Sequence, residues 1–419
     1  MRQIARVAGT RTQICHHDGH MPEQEAISKI ALMQSSPKVR AHLAGTAWFD
    51  FDASISATDP EARNGARLLD SLKSILLAER LVVLAGLGTS LSLQKSVTNA
   101  AGTDSLVSAG APTMAKLLEA VSALDGFEAI SRLFPDSVTN VEQLLSACQF
   151  KLALGEDASV QVFLDEAEKV ILKLCSFVDE QTELTAHEVF LRKIARRQTR
   201  LSRTQIFTTN YDLAFERAAS RVNFNVIDGF GLGAQRAFDG NAFDLDIVRR
   251  RFGETMTLEP NVFQLLKLHG SVDWDDTASG VVRESNPSVP VLIYPSQNKY
   301  QMSFRPPYLE LMSRFQMALR QPDVAVVVLG FGFNDAHIVG PIEAAIRSNV
   351  GLRIVVVAPR LEVNTSATVS RLESLIAAGD RRITLVQTTF DAFASLLPDT
   401  SPQDEREIHE ARTNAAWDR

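Results

Sequence analysis

Cysteine is scarce. Cys15, Cys148 and Cys175 are the only three in 419 residues, too few and too far apart for a disulfide framework and one short of a four-cysteine zinc site. A reducing compartment is the expectation. Long apolar runs are missing as well: no window approaches the roughly 18 residues that a membrane-spanning helix needs. Residues 1–20, rich in Arg, Thr and His, lack the apolar centre of a secretory signal. Positive charge is not in excess either. Forty-three basic side chains face 50 acidic ones, a formal net charge of −7, so nothing global draws the chain to nucleic acid. No repeat or low-complexity tract stands out. What is present is ordinary globular composition, 45 % apolar and 22 % charged, in a chain long enough for roughly two or three structural units. Its core needs no disulfides, and a cytoplasmic protein is expected.

Hydrophobic patterning divides the chain. Residues 1–45 read as a polar, uneven N-terminal segment with one short helix over 23–33. Cys15-His16-His17-x-x-His20 has metal-donor types, but no strand or helix signal flanks it to hold ligands in place. It is read as an unstructured end with chance histidines, and no metal is assigned. Residues 66–79 place Leu68, Leu69, Leu72, Ile75 and Leu76 on one helical side. They lead into Leu81-Val82-Val83-Leu84-Ala85, a run of buried-strand type. From 113 to 203, amphipathic patterns over 113–123, 141–154, 160–177 and 186–197 predict a helical insertion. Short β-rich runs then return at 205–208, 263–268, 289–294, 324–329, 354–358 and 383–386. Helical patterns over 213–221, 308–320 and 365–378 separate several of them. Continuous apolar strands alternating with helices predict an α/β fold, a Rossmann-like parallel sheet with helices on both faces. Its first part spans 46–112 and its remainder 204–398, followed by a polar tail over 399–419.

Four polar clusters each follow a predicted strand: Gly86-Leu87-Gly88-Thr89-Ser90, Thr208-Thr209-Asn210-Tyr211-Asp212, His269-Gly270-Ser271-Val272-Asp273-Trp274 and Gly330-Phe331-Gly332-Phe333-Asn334-Asp335. Ligands of open α/β sheets bind outside the carboxyl ends of the strands, so four clusters in one topological position predict a site. Gly86-x-Gly88, read as preceding a helix, lets the backbone approach a phosphate that the helix N-terminus stabilises. Leu91 stands where the dinucleotide fingerprint has its third glycine, and a plain tight turn is an equal reading. Thr89 and Ser90 add hydroxyl donors or cap the helix. Asn210 and Asp212 bracket Tyr211, with a helix cap at Asp212 as the competing role. His269, between a β-rich run and a glycine, is a general-base candidate. Gly330 and Gly332 admit another ligand segment or simply end a strand, and His337, early in the next helix, reads as structural. Arg192, Lys193, Arg196, Arg197, Arg200 and Arg203 form a basic patch, read as a solvated or salt-bridged face, as does Arg249-Arg250-Arg251.

In this order the clusters resemble the sirtuin-like family, specifically its bacterial antiphage branch of NAD-degrading proteins, over about residues 75–395. Gly86–Ser90 resembles the family's glycine-alanine-glycine phosphate loop, with Leu87 replacing the small residue. Thr209-Asn210-Tyr211-Asp212 looks like its Gln-Asn-Ile-Asp element. That implies that Asn210 positions water and ribose while Asp212 holds the nicotinamide amide. Lys267-Leu268-His269-Gly270-Ser271 resembles the segment with the catalytic histidine, and Gly330–Asp335 the late loop that receives the adenosine half. Pro112-Thr113-Met114 and Asn140-Val141-Glu142-Gln143-Leu144-Leu145 match runs that the branch favours. Protein-deacetylating sirtuins carry a four-cysteine zinc ribbon, which this chain cannot build. That departure puts acyl-lysine binding in doubt and favours water as the acceptor.

The resemblance therefore implies an NAD+ glycohydrolase that cleaves NAD to nicotinamide and ADP-ribose without a metal, as an NAD-depleting effector of antiphage defence. Asn210, His269 and Asp212 are the catalytic candidates. Gly86, Leu87, Gly88, Thr89, Ser90, Thr209, Tyr211, Gly330, Phe331 and Ser296 are the candidate NAD contacts. A large homo-oligomer partnered with a HerA-type hexameric ATPase is implied as well. ADP-ribosyl transfer by the same residues, or non-catalytic sensing of NAD or ADP-ribose, stays open beside it. Asn210 and His269 are expected to face the crevice, so that truncating either costs little stability, within about 0.5 kcal/mol.

Overall fold

A computed structural model describes residues 38–51, 60–98, 104–195, 197–231, 233, 236–250, 255–292, 307–362, 366–400 and 413. Among these, the main sheet comprises β1 (Val39–Leu43), β2 (Phe49–Phe51), β3 (Arg80–Ala85), β4 (Gln205–Thr208), β5 (Asn225–Ile227), β6 (Val262–Lys267), β7 (Val324–Leu329), β8 (Arg353–Ala358) and β9 (Ile383–Gln387). Their order is β2-β1-β9-β8-β7-β3-β4-β6-β5. The strands from β9 to β5 run parallel, and β1 and β2 extend one edge antiparallel. The helices are α1 (Pro60–Leu76), α2 (Met114–Ser122), α3 (Phe127–Leu133), α4 (Val141–Leu154), α5 (Ala158–Cys175), α6 (Thr185–Ala195), α7 (Ala214–Arg221), α8 (Tyr308–Leu319), α9 (Ala336–Ser348), α10 (Ala367–Ala377) and α11 (Phe390–Leu396).

Uninterrupted apolar strands need both faces covered, and both are. Val83 and Ala85 of β3 face a core formed with α1, α6, α7 and α11 through Leu72, Phe190, Phe215 and Phe393. Val82 and Leu84 face α8, α9 and α10 through Phe315, Ile342 and Leu372. The expected α/β fold is therefore what the chain adopts. Helices α2 to α5 form a third cluster around Val121, Leu144 and Phe163, which reaches Val272, Tyr211 and Leu213. One side of the insertion thus rests on the segment that carries Asn210.

Several elements differ from their expectation. The sheet begins inside the segment read as polar, because β1 alternates polar Arg40 and His42 with apolar neighbours. Gly86-x-Gly88 is followed by no helix. One 3₁₀ turn, Leu87–Thr89, leads to a strand, Gln94–Thr98, paired with Asp104–Ser108. His269-Gly270 runs into another strand, Gly270–Thr277, in a separate antiparallel sheet with Gly280–Arg283 and Pro290–Leu292. Of the run expected over 289–294, Pro290–Leu292 belongs to that small sheet. The basic stretch is largely consumed inside the protein. Lys193 donates to the carbonyls of Ala394, Ser395 and Leu397 at the end of α11, and Arg197 to those of Leu76, Ala78 and Ser202. Arg203 pairs with Asp246 at 2.8 Å. Arg196, the Cys15/His16/His17/His20 cluster and the helix expected over 23–33 lie outside the described residues. No helix among the described residues is long and apolar enough to cross a membrane.

Strand β3 lies between β4 and β7. The chain leaves β3 toward β4 on one side and returns to its other side at β7. The crevice beyond the carboxyl ends of β3 and β7 is thus the topological switch point, where α/β sheets bind ligands.

Candidate functional site

Two glycine loops meet across that switch point. Gly88 N donates to Gly330 O at 2.9 Å, and Gly86 N to Leu329 O at 2.9 Å. A Cβ on Gly88 would stand 2.5 Å from Gly330 Cα, and Gly330 itself has φ +56°. Both glycines are required for backbone to lie on backbone. The spacing therefore has a packing cause, and the Gly88 N–H read as a phosphate donor is already bonded. The expected helix N-terminus is also displaced: none follows Gly88, and the helix that begins on the crevice after a glycine loop is α9, just beyond Gly332.

Behind the loops lies a buried polar frame. Thr208 Oγ1 donates to Ala85 O (3.0 Å) and accepts from Asn210 N (3.1 Å), tying the end of β4 to that of β3. Thr209 N adds a bond to Ala85 O at 3.1 Å. Asn210 Nδ2 donates toward Gly86 O (3.1 Å), Thr89 Oγ1 (3.1 Å) and Ser90 Oγ (3.0 Å). Thr89 Oγ1 donates to Gly86 O (2.9 Å) and Ser90 Oγ to Asp212 Oδ2 (2.7 Å). Asp212 Oδ1 accepts the N–H of Ala214, the first residue of α7, at 3.0 Å, but the cap position itself is Leu213, one residue beyond the Asp212 weighed for it in the sequence. Thr89 and Ser90 are 0 % exposed. Their hydroxyls serve the frame, not a ligand, and Leu87 and Gly88 are the loop residues that border the crevice. The amide nitrogen of Asn210 is committed inward and no described residue donates to its Oδ1. That oxygen is the part of the side chain left for the crevice. Truncating Asn210 removes the hydrogens it gives to these buried oxygens, at about 0.5–1.5 kcal/mol per bond, so the expectation of a negligible stability cost does not hold for it.

A second support comes from Lys267, fully buried at the end of β6. Its Nζ donates to Tyr211 O (3.2 Å), Asp212 O (2.5 Å) and Glu216 Oε1 (3.0 Å). All three ammonium hydrogens are used, and the Tyr211–Asp212 backbone is fixed. Burial pushes the Glu216 carboxyl upward while Lys267 draws it back. Nothing in the Lys267–Ser271 pattern of the sequence signals this role. Two residues on, His269 reaches the crevice at 3 % exposure. Gly270 follows with φ +89°, and a Cβ there would collide with Val291 O, so only glycine allows the turn. His269 Nε2 lies 3.0 Å from His337 Nε2. His337, read as structural in the sequence, is the second residue of α9 and is exposed.

The crevice has a volume of about 1310 Å³. Thr209, Asn210, Tyr211, Asp212 and His269 border it together with Gly330 and Phe331. Phe331 is buried with its ring edge-on to Phe333, 5.4 Å between centroids. Pro112, just before the insertion, borders the crevice with the insertion's Met114, Asn140 and Glu142, and Asn140 caps α4 through Glu142 N at 2.8 Å. Both runs quoted from the insertion therefore border the same space as Asn210. Arg360, after β8, is the one arginine or lysine at the crevice among the described residues. Cys175 borders it as well. Burial, followed by the charge of Asp212, pushes its thiol up to about 12, which keeps it protonated and poorly nucleophilic. Ser296 lies outside the described residues. Among the described residues, no group of three or more His, Cys, Asp or Glu converges to hold a metal.

Known structures with a similar fold include one described as a crystal structure of a Sir2 homolog–NAD complex. It shows 18 % identity over 82 % of this chain and 94 % of that chain, with a TM-score of 0.37. Another, described as the structural basis for the mechanism and regulation of Sir2 enzymes, shows 11 % identity over 79 % and 96 %, with a TM-score of 0.38. A third is a histidine-to-asparagine mutant of a Sir2 homologue in complex with ADP-ribose, at 17 % identity over 82 % and 97 %, with a TM-score of 0.35. No curated protein matches the chain. Residues 204–375, from the start of β4 through α10 and including Asn210, Asp212, His269, Gly330 and His337, match the family model of the SIR2-like domain.

Proposed function

We propose that the crevice binds NAD and hydrolyses it to nicotinamide and ADP-ribose. The observation that carries this reading is the convergence of Asn210, Asp212 and a buried His269 on one crevice at the switch point of the sheet. Its volume exceeds the 300–1,000 Å³ typical of small-ligand sites and has room for a dinucleotide. Cleaving an N-glycosidic bond builds an oxocarbenium-like ribose, so the site must hold the leaving group, place a water and favour positive charge. Asn210, anchored through Nδ2, offers Oδ1 to accept a hydrogen from that water. Asp212 is oriented by Ser90 and Ala214. Each of its oxygens keeps a lone pair for the nicotinamide carboxamide, and its charge opposes that of the ribose cation. His269 takes the proton of the water or of a ribose hydroxyl. Arg360 and the start of α9 are the groups for the diphosphate, in place of Gly86, Thr89 and Ser90. Leu87, Gly88, Thr209, Tyr211, Gly330 and Phe331 line the ligand.

The wider role follows the resemblance: an NAD-depleting effector of antiphage defence, working as a large homo-oligomer with a HerA-type ATPase. Its support is the pair of insertion runs, Pro112–Met114 and Asn140–Leu145, at the crevice wall. Lys193, Arg197 and Arg203, engaged within the fold, do not supply the partner surface. The test is NAD labelled in its adenosine half. Free ADP-ribose appearing one-for-one with nicotinamide is the expected result. Label retained on this protein, or on added protein or nucleic acid, would instead establish transfer.

A further inference from the structure

Between His269 and His337 the nearest ring nitrogens are 3.0 Å apart while the ring centroids are 5.2 Å apart, so the imidazoles meet end to end and not face to face. Such an N–H···N contact holds one proton on its axis: one Nε2 donates and the other accepts. His269 is buried and His337 is exposed. A buried base that takes a proton at every turnover must pass it on before the next, and the side chain at its Nε2 is a second imidazole open to water.

We infer that His337 is the positioning and proton-relay partner of His269, fixing its tautomer and carrying its proton to solvent. The inference rests on the hydrolase reading above. In that reaction the C1′–N bond breaks with its electron pair going to nicotinamide, a C1′–O bond to water forms, and one proton is left over. That proton goes to His269 Nδ1, while the proton on Nε2 moves to His337 and from there to water. The other ionisable groups bordering the crevice are Asp212, Asp335, Glu142, Cys175, Tyr211, Tyr308 and Arg360. Among these, Asp335 stands beside His337 at the start of α9.

Unsubstituted protein, His337→Ala and His337→Gln are compared for nicotinamide release from about pH 5 to about pH 9, with and without added imidazole. ADP-ribose affinity is measured by calorimetry, and the titration of His269 by ¹⁵N NMR. The expected result for His337→Ala is a kcat lower by about 10- to 100-fold, with ADP-ribose affinity within about threefold. Imidazole restores part of the rate. In His337→Ala the titration of His269 moves to lower pH, because the acceptor for its protonated Nε2 is gone, while the side-chain carbonyl introduced in His337→Gln can still accept that hydrogen and makes the shift smaller. An unchanged kcat and pH profile in folded variants would overturn the inference. So would a loss matched by lost ADP-ribose binding and unmoved by imidazole. If the unsubstituted protein releases no nicotinamide, the hydrolase reading fails by itself. The NMR arm then decides the pair: an unshifted His269 titration in His337→Ala overturns it, and a shifted one upholds the positioning role.

Discussion

Asn210 and His269 border the same crevice and are held in opposite ways. The amide nitrogen of Asn210 faces three oxygens, two of them on side chains that are themselves fully buried, and none of these partners titrates near neutrality. His269 is as buried, yet its Nε2 meets a second imidazole that is open to solvent. A group that must hold a water still is fixed by groups that keep their protons. A group that must gain and lose a proton is linked to one that can do the same. His187 gives the contrasting case. It is fully buried against the ring edges of Phe215 (5.0 Å) and Phe390 (4.8 Å), neither of its nitrogens has a partner among the described residues, and burial pushes it down to about 3. Burial alone makes a neutral, inert histidine.

The comparison breaks most visibly at the two residues themselves. Asn210→Ala and His269→Ala should each lower nicotinamide release by about 10²- to 10⁴-fold, and the double variant should lose little more, since both serve one transition state. Their stabilities should separate: Asn210→Ala loses melting temperature as its frame opens, while His269→Ala stays near the unsubstituted protein. Equal melting temperatures would contradict the frame. Next comes Lys267→Met, which leaves Glu216 without its cation and the Tyr211 and Asp212 carbonyls without a donor. A loss of about 3–5 kcal/mol in urea unfolding is expected. His187 should contribute a pH dependence. Its folded value lies below the ordinary 6.5, so the unfolded chain takes up the proton first. This contribution is complete above 6.5 and is lost as pH falls toward 3, by about 1.4 kcal/mol per pH unit. His187→Phe should flatten that slope; an unchanged slope would locate the acid sensitivity elsewhere. Smallest is Arg360→Ala. It should raise KM for NAD about tenfold with kcat unchanged, and a changed kcat with constant KM would remove Arg360 from diphosphate binding.

Much of the sheet was legible because β3, β7 and β8 carry apolar runs without interruption, as strands covered on both faces do. Strands β1 and β2, at the sheet's antiparallel edge, and the three-residue β5 carry no such run. The site was legible as a set of loops but not in its internal bonding. Gly-x-Gly has the same spacing whether a phosphate or another backbone approaches, and only the folded chain brings Gly330 onto Gly88. Thr89 and Ser90 look like ligand donors at a strand end, yet burial turns their hydroxyls to Gly86 and Asp212. His337 lies 68 residues from His269. Its one signal in the sequence was its place in the first turn of the helix after the fourth cluster. The internal bonding of the basic stretch is hidden for a related reason: the carbonyls of Ala394, Ser395 and Leu397 that Lys193 satisfies, and that of Leu76 to which Arg197 donates, lie far away in sequence.

The most direct test is a time course of nicotinamide release from NAD by the purified protein, run beside Asn210→Ala and His269→Ala of verified fold. The account predicts steady release with matching ADP-ribose, abolished in both variants. NAD binding by the unsubstituted protein with no release, or release that persists in both variants, would contradict it.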